Sequence, residues 1–117
     1  MKITSSDFPQ RRAQMIATGA WQDKTIADYL DQAVAAVPDK PALVTYRVAS
    51  DERTELSYRQ LNELSTRVAA GLVGLGVGKG DVVACQLPNW WQLTLLSLAC
   101  ARIGAVINTL MPSFLER

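Results

Sequence analysis

The sequence predicts an α/β fold, with βαβ units of a partly parallel sheet, and three observations predict it. Residues 82–87 form a short apolar run bounded by turn signals, the pattern of a strand covered on both faces. Gly76 to Asp81 before it combine a helix stop with a tight turn, and Pro88-Asn89 break the run on its far side. Residues 90–103 then read as a helix, Gly104 stops it, and Ala105-Val106-Ile107-Asn108 begins a second strand. Strand, helix and strand with connections this short imply a parallel, right-handed crossover.

The elements can be justified in order along the chain. Residues 1–20 mix Ser, Arg, Gln and Pro without periodicity and suit a surface arm, with a short helix around 11–17. Thr25 is placed to cap the next helix, and Asp28 sits where a carboxylate complements the helix dipole. Ile26, Tyr29, Leu30, Ala33, Val34 and Val37 follow at helical spacing as a single apolar stripe. Pro38-Asp39-Lys40-Pro41 ends that helix, residues 42–48 read as a strand, and 54–56 as a short antiparallel partner across a polar turn. Ser57 with Gln60 forms a capping box at the start of a second long helix. Leu61, Leu64, Val68, Leu72 and Leu75 line one face of it, and Ala69-Ala70-Gly71 keep it thin enough to lie close to a sheet. Asn89 is the expected cap of the third helix.

Composition narrows the function classes. Twelve basic and eleven acidic residues give a net charge of +1, which leaves no electrostatic footprint for nucleic acid or an anionic membrane. Histidine is absent, which removes the commonest general base and the commonest zinc ligand. Cys85 and Cys100 are too far apart for a CxxC motif and read as two buried, reduced thiols. The N-terminus has no apolar core of a signal peptide, and the run 93–107 is too short for a bilayer and carries Arg102. A soluble, cytoplasmic protein is expected.

The glycines at 71, 74, 76, 78 and 80 invite a phosphate-loop reading, which fails. Gly78-Lys79 is followed by Gly80 where a Walker loop needs Ser or Thr, and the dinucleotide pattern meets Lys79 where it needs Gly. These glycines also follow a helix rather than precede one, so they face the negative end of its dipole. Trp90 and Trp91 could line a ligand pocket, but such a pair more often divides, one ring in the core and one at a wet surface. Arg102, near a helix C-terminus, suits the dipole and can snorkel outward; a bridge to Asp81 is a weaker alternative. Asp28, Asp31, Asp39, Asp51 and Asp81 fall at helix starts, exposed faces or turns, with none paired for acid–base work. No catalytic, cofactor-binding or metal-binding residue is identified. Ser57, the turn from Gly76 to Asp81 and the Pro88-Asn89 corner are expected to be structural.

Several segments in fixed order carry a family resemblance. They are Leu56-Ser57-Tyr58-Arg59-Gln60-Leu61, then Ala69-Ala70-Gly71-Leu72 running through Leu75-Gly76-Val77-Gly78-Lys79-Gly80-Asp81-Val82-Val83-Ala84. Leu87-Pro88-Asn89 and the stretch from Ala99 through Ile103-Gly104-Ala105-Val106-Ile107-Asn108-Thr109-Leu110-Met111-Pro112 complete the set. Together with a helix leading into Pro38-Asp39-Lys40-Pro41-Ala42-Leu43, the chain from about 25 to 117 resembles the N-terminal part of the adenylate-forming, AMP-binding superfamily of acyl-CoA synthetases. Cys85-Gln86-Leu87-Pro88-Asn89-Trp90-Trp91 and the residues from Asn108 on are most similar to the branch activating short- and medium-chain or alicyclic acids, the cyclohexanecarboxylate-CoA ligase type.

The resemblance implies part of an acetyl-CoA synthetase-like fold: a 1–20 arm, and 21–117 as the N-terminal part of a truncated adenylation domain. It implies a parent that uses a small carboxylic acid, ATP, Mg and coenzyme A in two steps, through an acyl-adenylate. The family's phosphate loop and its Lys, its aromatic-Thr-Glu segment, its ribose-binding Asp and its C-terminal Lys have no counterparts in 1–117. The chain is therefore expected to bind no cofactor itself, to be inactive alone and to self-associate through uncovered strand faces. The rivals are an amino-acid adenylation module of a peptide synthetase and a stand-alone interaction domain.

Overall fold

The computed structural model describes residues 9–115, and the side chains of 114 and 115 fall outside that description. The elements run α1 (Pro9–Ala17), α2 (Ile26–Ala36), β1 (Pro41–Arg47), β2 (Glu52–Ser57), α3 (Tyr58–Gly74), β3 (Val82–Cys85), α4 (Trp91–Ile103) and β4 (Val106–Thr109), with single 3-10 turns at Val48–Ser50 and Pro112–Leu115. β1 and β2 form an antiparallel pair, and β3 and β4 a parallel one bridged by α4, so the mixed α/β architecture expected from the sequence holds.

Helix starts are where the sequence speaks most directly. Thr25 Oγ1 accepts from the Asp28 N–H at 3.2 Å, and the Asp28 carboxylate accepts from the Thr25 N–H at 2.7 Å. Asp28 thus closes a capping box as well as facing the dipole, and these bonds, the backbone one first, hold its carboxyl below the usual range. α3 has its first three donors satisfied in succession. Tyr58 N–H reaches the Lys40 carbonyl at 3.1 Å, Arg59 N–H the Pro38 carbonyl at 2.9 Å, and Gln60 N–H the Ser57 hydroxyl at 3.3 Å. The α2–β1 loop therefore supplies acceptors that α3 cannot find within itself.

α3 ends in a Schellman motif. Val77 N–H bonds the Leu72 carbonyl at 3.0 Å and Gly76 N–H the Val73 carbonyl at 2.9 Å, with Gly76 at φ +88°. The capping residue is Leu75, one position before the glycine assigned that role from sequence, because the left-handed turn falls just beyond the cap. α4 also departs from expectation at its start: Trp90 occupies the N-cap and makes no side-chain cap bond, so Asn89 is not the cap. Trp90 N–H instead folds back to the Pro88 carbonyl at 2.7 Å, a turn tight enough to move the helix start one residue on.

The core is Leu30 of α2, Leu56 of β2, Leu61 of α3 and Leu95 of α4, with Leu43, Tyr58, Leu64, Val68, Trp91 and Leu98 packed against it. It lies between the helices and the hairpin and is narrower than the sequence stripes suggest. In α2 only Leu30 is buried, while Ile26, Tyr29 and Val37 are exposed. Leu75, expected on the inner face of α3, is 83% exposed because it lies beyond the last helical turn. Of the small residues Ala69-Ala70-Gly71, Ala69 alone is buried; Ala70 and Gly71 face outward. β3 stops at Cys85, and none of its four residues is fully buried, so the strand expected over 82–87 is shorter and only half covered.

Candidate functional site

The chemistry-bearing side chains fall into four places, each fixed by a local rule. The first is the glycine-rich turn between α3 and β3. Asp81 Oδ2 accepts from the Gly78 N–H at 2.8 Å, and the Asp81 N–H donates to the Gly78 carbonyl at 3.1 Å, closing the turn on itself. Gly80 N–H donates to the Gly104 carbonyl at 2.9 Å, and Val106 N–H to the Asp81 carbonyl at 2.8 Å, so this turn is stitched to the end of α4. A Cβ on Gly104 would lie 3.0 Å from Lys79 Cγ, and Gly104 has φ +73°; both facts demand glycine there. The glycines lock two loops together at the carboxyl ends of helices, where free carbonyls repel phosphate. This is the structural role expected from the sequence.

The second place is the polar end of α4. Arg102 donates to Asp31 Oδ1 of α2 at 2.9 Å and to Asn62 Oδ1 of α3 at 2.7 Å, tying three helices with one guanidinium. The bridge to Asp81 considered from sequence is not made: Asp81 is engaged by the Gly78 N–H and Arg102 by Asp31 and Asn62. Sequence reasoning placed Asp31 only among the carboxylates at helix starts, exposed faces or turns and did not single out Asn62. An arginine in an apolar helix signals that a partner exists, but nothing local in the sequence says which of several surface carboxylates supplies it.

The third is a shallow cleft between the hairpin and the start of α4, lined by Thr45, Arg47, Glu52, Thr54, Asn89 and the tryptophans. The Arg47 guanidinium stacks 4.3 Å from the Trp90 ring centre and pairs with Glu52 at 3.3 Å. Trp91 packs on the core while Trp90 stays 36% exposed, so the pair divides as expected, and Arg47 covers one face of the Trp90 ring. The fourth holds the thiols. Cys100 is buried and its pKa is pushed up, by burial first and then by Cys85; Cys85 is half-buried, not fully so. Among the described residues no three His, Cys, Asp or Glu side chains converge as a metal site, and no helix is long and apolar enough to cross a membrane.

What these places share is local support: a closed turn, an arginine clamp and a stacked guanidinium. Known proteins similar to this chain give its family. The family model described as AMP-binding enzyme matches residues 30–117. A medium-chain fatty-acid–CoA ligase of Escherichia coli is 39% identical over 116 residues, covering 99% of this chain and 20% of that enzyme. A salicyl-AMP ligase / salicyl-S-ArCP synthetase of Mycobacterium tuberculosis is 36% identical over 108 residues, covering 90% of this chain and 19% of that protein. The apo structure of Mycobacterium smegmatis MbtA superposes with a TM-score of 0.77 at 33% identity, over 92% of this chain and 19% of that one. The chain therefore spans about a fifth of the length of these relatives. Its motifs, its fold and its matches coincide over the same residues, and the chain belongs to the AMP-binding enzyme family, whose N-terminal region it resembles throughout.

Proposed function

We propose that this chain is the structural N-terminal portion of an ATP-dependent carboxylic acid–CoA ligase. In that reaction a carboxylate attacks the α-phosphate of Mg-ATP, giving an acyl-adenylate and pyrophosphate, and the thiol of coenzyme A then displaces AMP. The observation that carries the reading is the nearly end-to-end match, at 39% identity, to a medium-chain fatty-acid–CoA ligase. That match favours the medium-chain side of the proposed branch, and the alicyclic, cyclohexanecarboxylate type rests on the sequence resemblance alone.

ATP and Mg do not fit the residues described here. The glycine turn lies at the wrong end of a helix for phosphate, and no cluster of carboxylates stands near it. No step of the reaction is therefore routed through these residues. Their contribution is to hold α3, α4 and the β3–β4 pair in fixed relation, so that groups elsewhere can be positioned; misplacement of about 1 Å in a distant support can cost on the order of a hundredfold in rate. A second reading, an adenylating module that delivers its acid to a carrier protein, draws on the 36% identity to the salicyl-S-ArCP synthetase.

A chimera tests the proposal. Replacing the matching segment of the medium-chain ligase with these 117 residues should keep acid-dependent CoA ligation and leave the recipient's acid preference unchanged. A folded chimera without ligation, or one whose preference moved to aryl acids, would contradict it.

A further inference from the structure

We draw no further inference here: the strongest candidate, the apolar patch at the carboxyl ends of β3 and β4, where Gln86 Nε2 donates to the Met111 carbonyl at 3.0 Å and the Leu110 and Met111 side chains are exposed, carries nothing because nothing in the structure shows what covers it.

Discussion

Gly104 shows how much one residue can carry. Its left-handed backbone ends α4, its carbonyl receives the Gly80 N–H, and its missing Cβ admits the Lys79 side chain. Gly104→Ala should cost about 1–2 kcal/mol, from the positive φ together with the close contact, and urea unfolding of the variant would measure it. The thiols give a second prediction at this scale. With Cys100 buried and its ionisation disfavoured, Cys85 should react with a thiol reagent in the folded protein while Cys100 reacts only on unfolding. Asp28 gives a third. Its folded pKa is depressed, so its contribution is present above the unfolded value of about 3.9 and is lost as pH falls through the folded value. The gap in thermal midpoint between wild type and Asp28→Asn should therefore close as pH drops from about 5 to about 2.

At the scale of elements, legibility follows the range of the interaction. The cap at Thr25 and the capping box at Ser57 were readable because the partners lie within one turn, while the part of Asp28 in closing a box at Thr25 was not read. The hairpin and the parallel pair were readable from apolar runs and turn residues. The cap of α4 was misplaced by one residue because the Pro88–Trp90 turn, not the asparagine, sets the start. The Arg102 clamp could not be read, since its partners lie 71 and 40 positions away. Arg102→Met should lower stability by about 1–2 kcal/mol, less than a buried pair would give because Asp31 is half exposed and can be rehydrated. Gly71→Ala should do the opposite. With open space at its Cβ and helical φ, it should raise stability by about 1 kcal/mol, measured by urea unfolding.

For the whole molecule, the sequence stripes promised more core than the fold delivers. Leu30, Leu56, Leu61 and Leu95 are buried, but Ile26, Tyr29, Val44 and Tyr46 remain outside and β3 is only half covered. Periodicity reports which faces can be buried; it does not say whether this stretch of chain supplies the cover. The family, by contrast, was legible as an ordered set of turns and caps, because those residues answer to backbone geometry alone.

The central claim is that these residues support an adenylating site without forming one. Isothermal titration of the 117-residue chain with Mg-ATP, alone and with octanoate or cyclohexanecarboxylate, tests it most directly. No saturable heat is expected up to millimolar nucleotide. Micromolar binding, or release of pyrophosphate that depends on the acid, would show that the chain carries the chemistry itself.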